Sequence, residues 1–206
     1  MLKKVLVGMA VLSAVSMAQG TNVYLRAGAD IWDKFDVLKS EGEKMTNEKS
    51  DDFSYEIALE ATREIYPDFE LGLGIAYQDH RSPKNKTVLG DEYKMSGYTS
   101  VPVYVTGKYN VPVEFHSIKP YIKMDLGYSF NDSNGNLEYT YGKKREISTK
   151  VDNGAYFGIG AGVEYNNFTT DIMYKITKSK VKVGSQEKDD YNNSRVTLSV
   201  GYKFNF

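Results

Sequence analysis

Apolar side chains recur at every second position in eight separate stretches of this chain, and this period constrains the fold more than any other feature. The last stretch shows it best, with apolar residues at Val196, Leu198, Val200, Tyr202, Phe204 and Phe206. Alternate residues of an extended chain point to opposite faces, so one face of each stretch is apolar and the other is polar or glycine. The pattern predicts eight β-strands and disfavours a helical protein.

The other seven stretches begin at Val23, Phe53, Phe69, Val101, Ile122, Ala155 and Phe168. Each is about 10 residues long, the length that a tilted strand needs to cross the hydrocarbon core of a bilayer. Two kinds of barrel fit this alternation. A soluble, lipocalin-like barrel would bury the apolar face around a ligand, whereas a membrane barrel would turn that face towards lipid and fill its lumen with charges and glycines.

The connections between the stretches favour the membrane barrel. Long, hydrophilic connections (about 33–52, 79–97, 131–149 and 178–190) alternate with short ones (about 65–68, 110–119 and 166–167). Outer-membrane barrels have this asymmetry, with short periplasmic turns and long external loops, and aromatic girdles at the strand ends. The sequence therefore predicts an all-β fold: an eight-stranded antiparallel up-and-down transmembrane β-barrel.

The first 18 residues have the anatomy of a cleaved signal peptide. Lys3 and Lys4 precede an apolar run over residues 5–15, which is too short to span a membrane, and Ser16 and Ala18 suit a cleavage site. We expect a signal peptide over 1–18 and an outer-membrane barrel domain over 19–206. Removing two lysines from 26 basic and 27 acidic residues leaves 24 and 27, a weakly acidic balance that gives no reason to expect nucleic-acid binding.

The polar face of the strands carries nearly balanced charges, which a narrow lumen would hold away from bulk water. A charge in such a place is costly unless it is paired. We hypothesise that a network of cross-strand ion pairs plugs the lumen, with each basic side chain paired to an acidic one. Its members are Arg26, Lys123, Lys175 and Arg195 with Glu56, Glu60, Glu164 and Asp171. A gated ion path is the alternative.

Three short stretches carry a resemblance to a known family: Val-Pro-Val-Tyr-Val at 101–105, Lys-Pro-Tyr at 119–121 running to Leu-Gly-Tyr at 126–128, and Gly-Tyr-Lys-Phe-Asn-Phe at 201–206. They resemble the small eight-stranded outer-membrane proteins of the opacity-protein and OmpA-like transmembrane-domain type. The resemblance implies a monomer in the outer membrane of a diderm bacterium, in contact with outer-membrane lipids and lipopolysaccharide. It also implies that Tyr202, Phe204 and Phe206 form a signal for the barrel-assembly machinery.

Catalysis has little support in the sequence. Some small outer-membrane barrels modify lipid A with a histidine, a serine and an acid, and His80 lies two residues before Ser82 at the outer end of the third strand. Residues so close on a loop rarely reach the required geometry, and the other histidine, His116, falls in a predicted periplasmic turn. We expect no enzyme activity, no cofactor and no metal site.

The external loops are the best place for a specific function, because recognition usually resides in exposed loops on a rigid scaffold. The third loop combines aromatic and cationic residues at Tyr139, Tyr141, Lys143, Lys144 and Arg145. Such a set can hold anionic lipopolysaccharide groups or a ligand on a host cell. We expect a structural envelope protein with loops used for adhesion or recognition. The alternatives are a lipid A-modifying enzyme, a narrow, porin-like transport protein for small solutes and a soluble periplasmic binder.

Overall fold

A computed structural model describes the backbone of residues 19–35, 39–40, 43–44, 54–80, 86–88, 91–95, 98–113, 115–132, 135–141, 143–183, 189–190 and 192–206. Side chains are described over 19–34, 54–80, 98–113, 115–132, 151–181 and 192–206. The predicted signal peptide lies outside these residues. Within the described residues, no helix has the length and apolar composition that crossing a membrane requires.

Eight long antiparallel strands close into one barrel, so the predicted fold class is confirmed. They are β1 (Thr21–Phe35), β2 (Tyr55–Tyr66), β3 (Phe69–His80), β4 (Tyr98–Asn110), β5 (Ile118–Asp132), β6 (Gly154–Tyr165), β7 (Phe168–Lys178) and β8 (Asn193–Asn205). Each strand pairs with its sequence neighbours, and β1 pairs with both β2 and β8. Closure leaves no barrel strand with an unpaired edge, as the interior of a membrane demands.

The two faces of the barrel wall have opposite chemistry. Apolar side chains cover the outside, where Leu126 is 65% and Val200 is 62% exposed, whereas the charged side chains of Arg195 and Glu60 are 0% and 1% exposed in the lumen. A soluble barrel would have the reverse arrangement. The orientation that the connections indicated is therefore the one that the structure has, with the apolar face outward.

One bulge interrupts the alternation near the outer end of β1. The register with β8 shifts between Asp30 and Trp32, so that Ile31 is an additional residue. Ile31 and Trp32 are consequently both exposed on the outer wall. After the bulge Asp33 pairs with Arg195, which is a lumen residue. The extra residue thus adds a second acid to the lumen end of β1.

The short connections lie at one end of the barrel, as predicted. The turns at 67–68 and 166–167 contain Asp68 and Asn166 with φ of 64° and 54°, which two-residue hairpin turns require. The longer connection at 111–117 ends in a hairpin closed by mutual backbone hydrogen bonds between Phe115 and Ile118, at 3.1 and 3.0 Å. This end corresponds to the periplasmic side of the predicted topology.

The long connections are not only loops, and here the structure differs from the sequence analysis. Strands Lys86–Val88, Asp91–Met95, Gly135–Tyr141, Lys143–Val151, Lys180–Val183 and Asp189–Asp190 form a six-stranded sheet, which we call the outer sheet. Strands Lys39–Ser40 and Glu43–Lys44 form a separate two-stranded sheet. Hairpins that leave the barrel continue to pair with one another because each free strand edge offers unsatisfied backbone groups.

Candidate functional site

The lumen is filled with charged side chains, and each of the eight strands contributes at least one of them. The inward-facing charged residues are Arg26, Lys108, Lys123, Lys175, Arg195, Lys203, Asp30, Asp33, Glu56, Glu60, Glu70, Asp125, Glu164 and Asp171. They divide into three clusters along the barrel axis. We call these the outer, middle and inner clusters, with the inner cluster nearest the short turns.

Glu56 organises the outer cluster. Its carboxylate accepts hydrogen bonds from Lys175 Nζ at 2.5 Å, from Arg195 Nη2 at 3.0 Å and from the Gln78 amide at 2.6 Å. Arg195 Nη1 also lies 3.5 Å from Asp30 Oδ2. Two cations therefore depend on this one carboxylate, at a place that bulk water does not reach.

Glu60 plays the same part in the middle cluster. Arg26 Nε lies 3.1 Å and Lys123 Nζ 2.7 Å from its carboxylate oxygens, and the Tyr104 hydroxyl donates to it at 2.9 Å. Three strands, β1, β4 and β5, thus meet β2 at one side chain. A contact of this kind spans the lumen and ties opposite walls of the barrel together.

Each cation of the middle cluster also has a second acid. Arg26 Nη1 donates to Asp171, which in turn accepts a hydrogen bond from the Tyr121 hydroxyl at 2.8 Å. Lys123 Nζ contacts Asp125 Oδ2 at 2.9 Å. The middle cluster therefore distributes two cations over three carboxylates and has more redundancy than the outer cluster.

The inner cluster joins β4 and β8 to β3 and β6. Lys108 Nζ lies 2.7 Å from Glu164 and 3.3 Å from Glu70, and Lys203 contacts the other oxygen of Glu164. The Tyr24 hydroxyl lies 3.0 Å from a Glu70 oxygen and accepts a hydrogen bond from Lys108 at 2.9 Å. Two cations and two acids balance here.

The structure brings together most, but not all, of the residues in the hypothesised network. Arg26, Lys123, Lys175 and Arg195 contact Glu56, Glu60 and Asp171 in the outer and middle clusters. Glu164 contacts none of these four cations, because its partners are Lys108 and Lys203. Both lysines lie on the inward parity of their strands, so the alternation contained the signal that would have added them.

Glycines leave space for large side chains between the ion pairs. A Cβ atom placed on Gly74 would lie 2.3 Å from the Tyr104 ring, and one on Gly162 would lie 2.6 Å from the Tyr121 ring. The Tyr104 ring in turn packs on Tyr156 with their centroids 5.3 Å apart. Each glycine is the direct cross-strand partner of its tyrosine on the neighbouring strand, so the tyrosine ring lies over the glycine and fills the lumen with close-packed atoms.

A chain of hydrogen bonds runs from His80 to Glu56 at the outer end of the lumen. His80 Nε2 lies 2.7 Å from Ser100 Oγ, Ser100 donates to the Gln78 amide oxygen at 2.8 Å, and Gln78 donates to Glu56. The His80 ring also stacks on Tyr98, with centroids 4.4 Å apart. All of these side chains are buried.

This arrangement bears on the histidine that the sequence analysis considered for catalysis. Ser82 lies outside the described residues, and the serine that His80 contacts is Ser100. Because the Ser100 hydroxyl donates its proton to Gln78, the His80 Nε2 atom acts as the donor to Ser100 and does not accept its proton. His116 is exposed in the turn at the opposite end of the barrel, where its ring meets Phe115 edge to face at 4.2 Å.

The loop residues of interest lie on two paired strands of the outer sheet. The register pairs Tyr139 with Arg145 and Tyr141 with Lys143, which places these four on one face of the sheet and Lys144 on the other. Their side chains lie outside the described part of the structure. Four of the five therefore share a face of the outer sheet.

The end of β8 carries an exposed aromatic row on the outer wall. Tyr202 packs edge to face against Phe168 at 5.1 Å and against Phe204 at 4.8 Å. Phe206 closes the barrel through its backbone, since its carbonyl accepts from the Gly20 amide at 2.7 Å and its amide donates to Thr21 at 2.9 Å. The row lies at the end of the barrel that has the short turns. Its role as an assembly signal stays a prediction.

The outer wall also has a shallow apolar groove of about 340 Å³. It is lined by Ala161, Gly162, Val163, Thr170, Asp171, Ile172 and Leu198. The small side chains of β6 form its floor, and its position on the lipid-facing wall suits hydrocarbon. Within the described residues, no group of three or more His, Cys, Asp or Glu side chains is arranged to hold a metal ion.

Comparison with known proteins finds a similar sequence and several similar solved structures. An uncharacterized protein of Pasteurella multocida (strain Pm70) is 32% identical over 237 residues, covering 98% of this chain and 98% of that protein. Among solved structures, Ail, the attachment invasion locus protein of Yersinia pestis, is 15% identical, with a TM-score of 0.47 and coverage of 91% of this chain and 100% of that chain. Neisserial surface protein A is 16% identical, with a TM-score of 0.44 and coverage of 90% and 98%.

The family comparison decides what kind of protein this is. The family described as outer membrane protein beta-barrel domain matches residues 5–204, which is nearly the whole chain. The resemblance stated from the three short sequence stretches is thereby confirmed at the level of the family. The chain belongs to the outer membrane protein β-barrel domain family.

Proposed function

We propose that this protein is a non-enzymatic, monomeric component of the outer membrane of a diderm bacterium, with a closed barrel that supports a surface for recognition. The observation that carries the proposal is the filled lumen. Three ion-pair clusters and the packed rings of Tyr104 and Tyr156 connect the described strands across the barrel axis. Such a scaffold is rigid and holds the outer sheet in a fixed position outside the membrane. Lipids and lipopolysaccharide surround the wall, and the assembly machinery is its partner during insertion.

The recognition part of the proposal rests on the outer sheet. Its strands come from three different long connections, and it carries Tyr139, Tyr141, Lys143, Lys144 and Arg145. Tyrosines contribute large contact area with a polar tip, and clustered cations attract anionic groups. A ligand on another cell or an anionic lipopolysaccharide group matches this chemistry.

Two observations weigh against the alternatives. His80 is buried in the lumen and donates to Ser100, so it is not placed to act as a base on a lipid substrate. Continuous ion pairing and close-packed tyrosines also oppose a solute path through the barrel. We therefore propose neither lipid A modification nor porin-like transport.

Planar-bilayer recording of the purified mature protein tests the closed lumen. We expect no sustained single-channel current. Stepwise conductance that disappears in Glu60→Gln or Arg195→Gln would establish an ion path and refute the plug. Fractionation of cells, with boiled and unboiled gel samples, tests the location in the same study, since a heat-modifiable band in the outer membrane is expected and a soluble periplasmic band contradicts it.

Binding of whole cells to an immobilised anionic glycan tests recognition. Replacing residues 136–150 with a short Gly-Ser turn is expected to abolish binding, whereas a matched shortening of the periplasmic connection at 111–117 is expected to leave it unchanged. Equal binding of both variants would remove the basis for surface recognition.

A further inference from the structure

The outward face of the barrel wall carries lysines at its outer rim on one side. Lys178 ends β7, and Lys180 follows two residues later with the same outward parity; both are exposed. Lys34, near the end of β1, is exposed on the same face, where its cross-strand partner is Ser194 and the next residue along the row is Ile176. Among the described residues, no acid lies within ion-pair distance of Lys178 or Lys180. We call Lys34, Lys178 and Lys180 the lysine rim.

The acids of the outward face lie mainly on the other side of the barrel. Asp79 on β3 and Asp132 at the end of β5 are both cross-strand partners of Thr99, so they lie at one height on the outward parity. On the side of the lysine rim the described acid is Asp152, whose amide donates to the Lys180 carbonyl at 2.7 Å. The field of the wall therefore draws an anionic group at the outer membrane surface towards β7 and β1.

The apolar groove of the outer wall lies below the lysine rim on the same strands. Ile172 on β7 lines this groove and pairs with Ala161 on β6 and Leu198 on β8. Lys178 lies six residues further along β7. Six residues of a strand rise about 20 Å, or about 15 Å along the membrane normal when the strand is tilted by about 40°. This height is half of a hydrocarbon core of about 30 Å, so the groove lies at the depth that a lipid tail reaches from a headgroup at the rim.

We infer that this side of the wall binds one lipid of the outer leaflet that has a phosphate headgroup. The phosphate meets the lysine rim, and one acyl chain follows β7 down to the groove. The protein presents its cations and its apolar groove in the order of a membrane lipid, with charge at the surface and hydrocarbon below. Lipid A belongs to this chemical class. The inference assigns a lipid site on the wall and rests on the outer-membrane location proposed above.

Two aromatic rings between the rim and the groove leave a path for the chain. Trp32 and Tyr174 are both cross-strand partners of Val196 on β8. Their ring centroids are 6.5 Å apart, although two strand spacings of about 4.8 Å separate their backbones. The rings thus approach each other over β8. The chain can lie on the other side of Tyr174, next to Ile159 on β6, which is 44% exposed.

Charge opposes a second copy of the barrel as the occupant of the groove. Two barrels in the same orientation in the membrane that packed groove to groove would bring their lysine rims to the same height. Like charges that face each other across an interface are costly. A lipid phosphate supplies the opposite charge and accepts hydrogen bonds from the ammonium groups.

Quenching of the single tryptophan, Trp32, tests the headgroup. The mature protein is placed in phosphatidylcholine vesicles that contain a small fraction of phosphatidate, and one of the two lipids carries brominated chains. We expect phosphatidate to be enriched at Trp32 at least fivefold, since one lysine near an anionic headgroup contributes about fivefold. Lys178→Gln combined with Lys180→Gln is expected to reduce the enrichment to less than twofold. Arg63→Gln combined with Lys119→Gln, which removes two exposed cations at the periplasmic end, is expected to leave it unchanged.

Native mass spectrometry of protein released from the same vesicles tests the groove. We expect one phosphatidate to stay bound to each protein. Ala161→Phe, which fills the groove, is expected to lower this retention at least threefold. Val105→Phe, at an exposed position of the outer wall on β4, is expected to change it by less than twofold. A heat-modifiable gel band shows that the barrel is folded in each variant.

Several outcomes would overturn the inference. These are no enrichment of phosphatidate at Trp32, and equal losses in the two double variants. Displacement of phosphatidate by glycerol 3-phosphate in solution would show that the phosphate alone is bound. A dimer in the mass spectrum that Ala161→Phe abolishes would assign the groove to a second copy. If the lipid effects are absent but cells still give the heat-modifiable outer-membrane band, only this inference falls and the proposed location stands.

Discussion

Replacing Glu56 with glutamine is the sharpest test of how the lumen is held together. Among the described residues, Glu56 is the one carboxylate within ion-pair distance of Lys175, and it also holds Arg195. Glutamine keeps the shape of the side chain and removes its charge. Lys175 is then a buried ammonium without a counter-charge, while Arg195 keeps only the 3.5 Å contact with Asp30.

The expected cost is large because an uncompensated charge stays behind. Removing one partner of a buried ion pair costs about 3–5 kcal/mol. Glu60→Gln should cost less, although Glu60 also contacts two cations, because Arg26 keeps Asp171 and Lys123 keeps Asp125. Its loss is closer to that of charge-assisted hydrogen bonds, roughly 1.5–3 kcal/mol. The structure thus predicts a rank order and not only a direction.

Urea unfolding of the barrel in lipid vesicles, followed by the shift between folded and unfolded gel bands, measures both variants. Glu64→Gln, on the same strand but exposed, is the matched control and should leave the free energy of unfolding unchanged within about 0.5 kcal/mol. Combining Glu56→Gln with Lys175→Met should recover much of the loss, because the orphaned cation is gone. Equal costs for Glu56→Gln and Glu64→Gln, or no recovery in the double variant, would refute the reasoning.

Three further predictions address packing, assembly and orientation. Gly74→Ala should lower the free energy of unfolding by about 1–3 kcal/mol, because its Cβ would meet the Tyr104 ring, whereas Gly107→Ala, with its nearest contact at 3.4 Å, should be nearly neutral in the same urea assay. Phe206→Ala should reduce the folded protein in the outer membrane of cells severalfold but leave refolding of purified protein into vesicles unchanged, since its backbone bonds remain; the same loss in a Tyr165→Ala control would contradict an assembly role. The single tryptophan, Trp32, should be quenched by lipid-attached bromine more than by aqueous iodide, and the reverse would place it off the lipid-facing wall.

The sequence predicted the barrel well because its strongest signal is local. Two-residue periodicity specifies strands, and the alternation of long and short connections specifies which face is outside. The partners within the lumen are a different matter, since they depend on the stagger of the closed barrel. Glu164 illustrates this, because its parity shows that it faces inward but not that Lys108 and Lys203 are its partners.

The bulge in β1 shows a signal that was present in the sequence but easy to pass over. Ile31 and Trp32 are adjacent apolar residues, which a strictly alternating strand would place on opposite faces. In the structure Ile31 is an additional residue at a bulge, so Ile31 and Trp32 are both exposed on the outer wall. Asp33 then faces the lumen and pairs with Arg195 on β8. Two neighbouring apolar residues near the end of such a strand therefore indicate a bulge.

The strands of the outer sheet were missed for a related reason, and β7 shows why. On β7 the outward-facing residues from Phe168 to Tyr174 are exposed and mostly apolar, but further along the same face the exposed residue is Lys178. Beyond the end of β7, the apolar residue Val181 is buried on the inward parity. The two-residue period continues beyond the barrel, but the apolar residues now face inward and the polar residues outward. A search for one continuous apolar face stops at this exchange and reads the rest as loop. The 11 residues of Phe168–Lys178 match the length that a tilted strand needs to cross the hydrocarbon core. The exchange of faces therefore marks the outer surface of the membrane, and the strands beyond it follow the rule of a soluble protein.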